Sequence, residues 1–327
     1  MSAGILTRDI QTGTEMAWHG KTVVVPTIDR SNCGIIYPMR KEQLFLASGK
    51  PTEHYAIVSD DDGMAIGNPV KKNYKLISND EMFDLIEKSL AGTSHQITSI
   101  GSIGNREKLF CSIKLSDNII AGGRETQNVL NVLWGHGGVF GVLARSGFTV
   151  VVCANTFALA LAKKGDFELR VKHTGNTEVK IENMAKAIDN HYGVTAEFKK
   201  AMDLFAAESV TEDNAKRIFA GFVVREDQPE EVATRTRNTI DRLGQLFKNG
   251  AGNHGRDLSD VFNAFTDYYS HESSGGDNNW RQFESSEFGA GHKRKTEAFR
   301  LLAGQEVADL GNLDMVIKRG DRVLQLV

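Results

Sequence analysis

VVVCANTFALALAKKGDFELRVKHTGN spans Val150 to Asn176, and its reading decides both the fold and the chemistry open to the chain. It opens as an apolar run, passes through Cys153 and an Asn155-Thr156 pair, and ends with Arg170, Lys172 and His173 close together. FTVVVC (Phe148–Cys153) is β-branched and reads as a strand. NTFALALAKKG reads as a helix, capped by Asn155 or Thr156 and stopped by Gly165. DFELRVKHTG reads as a second strand, with Leu169 and Val171 on one face and Arg170 and Lys172 on the other. Three kinds of chemistry compete here: a cysteine nucleophile with a histidine base, a metal site, or a core strand leading to a basic surface.

Composition narrows the choice. The chain has 327 residues, of which 40% are hydrophobic and 25% charged, so a sizeable core is expected. The 39 Lys and Arg against 42 Asp and Glu leave a net charge of −3, so any basic site must be local. The acidic REDQPEEVA (Arg225–Ala233) is one offset to such a site. Cys33, Cys111 and Cys153 are odd in number and far apart, which argues for free thiols in a reducing compartment. No apolar run has membrane-spanning length, and MSAGILTRDI lacks the pattern of a signal peptide. The expectation is a soluble cytoplasmic protein.

Working outward, KTVVVPTI (Lys21–Ile28) is broken by Pro26 and reads as an edge strand. Asp60-Asp61-Asp62-Gly63 lies between two apolar runs, a hairpin signal in which the acids are turn formers rather than metal ligands. SNDEMFDLIEKSLAG predicts a helix capped at Ser78 or Asn79, with Met82, Leu85, Ile86 and Leu90 on one face and Gly92 as its stop. His95–Asp117 predicts a hairpin turning at Gly104-Asn105, with Cys111 in the core. Beyond residue 177 the helical candidates are Glu178–Asn190, Thr195–Glu208, Thr211–Gly221, Glu230–Lys248, Asp257–His271 and Gly291–Ala303. His271–Gln282 reads as a loop, and GDRVLQLV as a last strand. The fold class is therefore α+β. A β-rich N-terminal half of antiparallel hairpins with one or two helices (residues 1–195) precedes a mostly helical region packed on it (residues 196–327).

Chemistry is sparse along the chain. Cys153 with His136 or His173 is the sharpest nucleophile–base pair, but Cys153 ends an apolar run, where cysteine behaves as a small hydrophobe. His254, His271 and His292 have no ligand spacing, so neither a metal nor a cofactor is expected. GHGGVFG (Gly135–Gly141) lacks the order of a phosphate loop and reads as a flexible loop or a close backbone approach. Two basic clusters remain. Lys163, Lys164, Arg170, Lys172 and His173 fall in one short span flanked by a strand. Lys293, Arg294 and Lys295 follow glycines at a helix start, where free N–H groups and cations together suit a phosphate. Trp134, Phe140, Phe148 and Trp280 are the aromatics available to stack on bases.

Several of these segments resemble a phage- and plasmid-related protein family of uncharacterised function. The likeness lies in VVVCANTFALAL followed by LRVKHTGN, in LSDVFNAFTDYYSHE with FGAGHKRKTEAFRLL, and in the opening WHG and GNPVKKNYKLISNDEMFDLI. Matching positions are Cys153, Asn155, Thr156, His173, Thr174, Asn176, Asn263, Thr266, Tyr268, His271, Gly289, Gly291, Lys293 and Ala298. GHGGVFGVLARSGFT departs from the family pattern, which separates Trp134 and His136 from it. The resemblance implies a phage or plasmid origin and carries no activity with it.

With no catalytic constellation, the expected function is binding. The leading expectation is a single-stranded DNA-binding protein of the annealing, recombination type, acting as a homo-oligomer such as a ring. An anti-defence protein that sequesters a host protein or a nucleotide is the alternative, and a hydrolase using Cys153 with His173 is the third.

Overall fold

The structure is a computed structural model. It describes residues 9–15, 22–115, 117–138, 141–150, 155–158, 168–171, 177–225, 231–273 and 279–326, of which 150, 155–158, 168–171, 177–190, 192, 279, 280 and 288 are described by backbone alone. In chain order the elements are β1 (Ile10–Gly13), β2 (Val23–Val24), β3 (Met39–Phe45), β4 (Pro51–Ser59), β5 (Ala65–Lys71), α1 (Asn79–Leu90), β6 (Gln96–Ile103), β7 (Lys108–Lys114), β8 (Ile119–Ala121), β9 (Arg124–Gly135), β10 (Val142–Val150), β11 (Asn155–Ala158) and β12 (Glu168–Val171). There follow α2 (Thr177–Ala207), α3 (Glu212–Val223), α4 (Thr234–Asn249), α5 (Leu258–His271), α6 (Asn279–Phe288), α7 (Ala290–Leu302) and α8 (Leu313–Leu324). The class is α+β, with a β-rich first half and a helical second half.

The chain forms two compact units. One comprises Met1–Ser116, Val129–Ser146 and Ala162–Gly193, the other Asp117–Asn128, Gly147–Leu161 and Val194–Val327. The strands β9 and β10 each contribute to both.

In the first unit the strand order is β2-β1-β6-β7-β9-β10. The β1–β6, β6–β7 and β7–β9 pairs are antiparallel, and β2 lies parallel to β1 at the edge. The β6–β7 turn holds Asn105 and Arg106 at φ 58° and 72°, beside Gly104 at 70°, as the Gly-Asn signal requires. Cys111 faces Val132 across the β7–β9 ladder and is fully buried, as is Cys33. The helix α1 lies on the core formed by this sheet. Its buried Met82, Phe83, Leu85 and Ile86 join Ile100, Leu109, Ile113, Leu130, Val132 and Trp134. Ser78 caps α1 with a full capping box to Glu81, a device worth about 1 kcal/mol. A separate antiparallel sheet, β3-β4-β5, buries Tyr37, Ile57, Ile66 and Val70 on one side.

In the second unit α3 to α8 enclose a phenylalanine core. Phe219 meets Phe265 edge-on at 5.1 Å, and Phe262 meets Phe299 edge-on at 5.3 Å. The strands β8 and β11 pair with the adjacent parts of β9 and β10.

Four expectations are corrected. Asn155 and Thr156 cap no helix: they begin β11, facing Val150 and Thr149 of β10. Both residues are taken up in the ladder with β10, and residues 159–167 lie outside those described. The two helices expected over 178–208 are one continuous α2, Gly193 included. A single glycine weakens a helix by about 1 kcal/mol without stopping it. The loop expected at 271–282 ends early, because α6 starts at Asn279. The C-terminal strand is the helix α8, whose buried Val316, Arg319, Gly320 and Val323 recur at helical spacing.

Candidate nucleic-acid interface

The basic positions nominated by sequence separate sharply. Lys163, Lys164, Lys172 and His173 lie outside the described residues, and so does Cys153. The backbone of Arg170 sits in β12 opposite Leu143 of β10. At the start of α7 the three consecutive cations have different environments. The Lys293 side chain is 72% exposed, with Glu297 at 3.8 Å. Arg294 is half-buried, its guanidinium 5.7 Å from the Phe222 ring centroid and 3.6 Å from Glu297. Lys295 is 1% exposed. Its ammonium donates to Ser286 Oγ at 2.8 Å and Ser270 Oγ at 3.2 Å, with Glu287 at 3.7 Å. Burial holds its pKa below the usual lysine value, while Glu287 pulls the other way. Lys295 is therefore a packing residue between α5, α6 and α7, and Glu297 offsets its two neighbours. Of the three, only Lys293 presents an ammonium to solvent.

Of the aromatic candidates Trp134 and Phe148 are interior too, while Phe140 lies outside the described residues and Trp280 is described by backbone alone. Phe148 is buried and stacks on Phe198 at 3.9 Å. Trp134 Nε1 donates to Asn79 Oδ1 at 3.1 Å, and His136 Nε2 meets the same oxygen at 2.8 Å. Since that oxygen accepts only, His136 carries its proton on Nε2. All three groups are fully or almost fully buried, so they organise the core beneath α1. The GHGG segment is a close backbone approach: a Cβ on Gly67 of β5 would stand 2.7 Å from the His136 carbonyl oxygen. Of the acidic turn, Asp61 is held below the usual carboxylate range by the Ser59 hydroxyl and by Arg106.

A different site emerges on the β3-β4-β5 sheet. The register places Lys41 opposite Ile57, Gln43 opposite Tyr55, and Tyr55 opposite Val70. These side chains share one face of the sheet. His54 pairs with Lys71 on the other face. The Lys41 ammonium lies 4.7 Å from the Tyr55 ring centroid and donates to the carbonyl oxygens of Lys72 and Tyr74. It thereby ties the segment after β5 back to β3. Thr52, Glu53, Tyr55, Lys71, Lys72 and Asn73 line a cavity of about 410 Å³ here. Lys71 and Lys72 are exposed. Among the described residues neither has a carboxylate within ion-pair distance, whereas Arg30, Arg40 and Arg106 are each paired with two or more. Unpaired ammonium groups beside a half-buried phenol ring can hold a phosphate and seat a base.

Sequence reasoning passed over this groove because its members come from β4 and from the end of β5 with the residues that follow it. A local signal existed in Lys71-Lys72-Asn73, at the end of the second strand of a hairpin.

A family model described as a domain of unknown function, DUF932, matches residues 68–301, well over half of the chain. The chain belongs to this family. The match takes in Lys71 and Lys72 and starts after Lys41 and Tyr55, so the groove joins the family region to residues that precede it. No curated protein and no solved structure matches the chain. Among the described residues no helix is long and apolar enough to cross a membrane.

Proposed function

We propose that this DUF932 protein binds single-stranded nucleic acid, as a phage- or plasmid-encoded protein working in the cytoplasm of a host cell. The observation that carries this reading is the groove, whose lining includes Tyr55 and the exposed Lys71 and Lys72. Phosphates supply affinity by releasing counterions, and an aromatic face takes any base without reading its edges. A duplex keeps its bases stacked and offers the groove phosphates alone, so single strands are preferred. The resemblance of VVVCANTFALAL and LSDVFNAFTDYYSHE to a phage- and plasmid-related family supports the biological setting. Strand annealing by a homo-oligomer, a ring in the fullest form of the reading, extends the same proposal.

The test is fluorescence anisotropy with labelled oligonucleotides. The expected result is tighter binding to single strands than to duplex of equal length, weakening steeply with salt. An absence of binding at low salt contradicts it. The cavity volume of about 410 Å³ favours one second reading, capture of a free nucleotide, since it lies in the range of small-ligand pockets. Affinity that does not rise with oligonucleotide length selects that reading.

A further inference from the structure

The β3–β4 hairpin ends in a turn that presents two large apolar side chains to water. Phe45 is 60% and Leu46 57% exposed. They are adjacent, and the turn that carries them is fixed. Leu46 N donates to Lys50 O and Gly49 N to Leu46 O, both at 2.8 Å. Gly49 takes φ +77° there, a conformation that L side chains rarely adopt. Thr52 Oγ1 braces the base of the turn by donating to Leu44 O at 2.9 Å. The tip is thus a stiff projection and not a collapsed loop.

Its surroundings identify the occupant. Lys50 is exposed in the turn itself, and His54 is exposed on β4 opposite Lys71. Glu53, between them in sequence, is the acid that lines the groove. An apolar tip near Lys50 and the groove cations Lys71 and Lys72 matches a ligand with flat apolar faces and a phosphate on every unit. Phe and Leu are also side chains that enter base steps as wedges.

We propose that the Phe45–Leu46 tip is a base-stacking wedge, which unstacks neighbouring bases of the strand held in the Tyr55–Lys71–Lys72 groove. It rests on the nucleic-acid reading above and adds an activity to it: distortion of the bound strand, without sequence preference. A wedge acts through the faces of the bases, so it contributes to affinity independently of salt.

The experiment uses the full chain and an oligothymidylate carrying one 2-aminopurine. The wild-type protein raises the 2-aminopurine emission severalfold on binding. The Phe45→Ser, Leu46→Ser double variant loses that rise and binds roughly 5- to 100-fold more weakly with the same salt slope. A Phe45→Trp variant, for which folding is not at issue, shows its new indole emission quenched by the oligonucleotide. Unchanged affinity and emission in the double variant, or an unquenched indole in the saturated complex of the Phe45→Trp variant, overturns the wedge while leaving the groove intact. Conversion of a dimer to a monomer by the serine variant also overturns it, by making the tip a contact between copies. No binding by the wild-type protein removes the nucleic-acid reading itself, and the wedge with it.

Discussion

Lys41 and Tyr55 form a cation–π pair across β3 and β4: the ammonium sits 4.7 Å from the ring centroid and is anchored on the backbone oxygens of Lys72 and Tyr74. One side chain thus joins the aromatic floor of the groove to its cationic lip. Truncation of Lys41 should therefore act on both at once. Lys41→Met keeps the aliphatic stem and removes the anchor. It should weaken oligonucleotide binding more than Lys50→Met, which removes an exposed cation of the same hairpin. Isothermal titration at fixed salt gives the comparison, and equal losses would reduce Lys41 to a surface charge.

Tyr55 itself should matter through its ring. Tyr55→Phe retains the face and should bind within about twofold of wild type. Tyr55→Leu should lose roughly 5- to 100-fold, the range of a single stacked base. Anisotropy on a short oligothymidylate measures both.

Lys295 is a buried cation whose charge is met by two hydroxyls and one carboxylate. Replacing a buried, paired charge by an apolar side chain of similar length is often neutral or stabilising, whereas truncation leaves a cavity. Lys295→Met should stay within about 1 kcal/mol of wild type in urea unfolding, and Lys295→Ala should lose about 2–4 kcal/mol. Neither should alter oligonucleotide affinity. A large loss of affinity in Lys295→Met would return α7 to the binding surface.

The helices α3 and α8 cross backbone to backbone at two glycines. A Cβ on Gly221 would fall 1.9 Å from the Val316 carbonyl oxygen, and one on Gly320 would fall 1.9 Å from that of Arg217. Gly221→Ala should cost about 1–3 kcal/mol or more through overpacking. Gly193→Ala, in α2 with open space around its Cβ position, should instead stabilise by about 0.5–1 kcal/mol. Chemical denaturation of the two variants checks the opposed signs.

His191 sets a pH dependence. Burial first, and the neighbouring His95 second, lower its pKa from 6.5 to about 4. The unfolded chain therefore binds the proton more readily than the folded one. The stabilising contribution is complete above pH 6.5, and declines as pH falls toward 4. The melting temperature should drop between pH 7 and pH 4.5, and His191→Gln should flatten that drop. An unchanged slope would place the acid sensitivity elsewhere.

Sequence patterning exposed the elements whose signals are local. Ser78 or Asn79 marked the start of α1, Gly104-Asn105 the β6–β7 turn, and the helical pattern over Asp257–His271 marked α5. It missed β9, where Val129 to Gly135 is buried almost continuously and the twofold alternation disappears. It also took VLQLV for a strand, because period two and period 3.6 cannot be told apart over so few residues. The site was less legible than the fold. Consecutive cations read alike in sequence, yet helical geometry turns Lys293 outward and Lys295 inward. The groove required hairpin register to set Lys41 and Tyr55 on one face, and the end of β5 to bring Lys71 and Lys72 to the cavity that Tyr55 lines.

The most direct measurement is the salt dependence of single-strand binding for the wild-type protein and for the Lys71→Ala, Lys72→Ala double variant. Removing one cation from a phosphate lowers the slope of log affinity against log salt by about 0.7 on a single strand. The groove predicts weaker binding by the double variant and a slope shallower by about 1–1.5. Wild-type affinity with a wild-type slope would contradict it and place the nucleic-acid surface elsewhere on the chain.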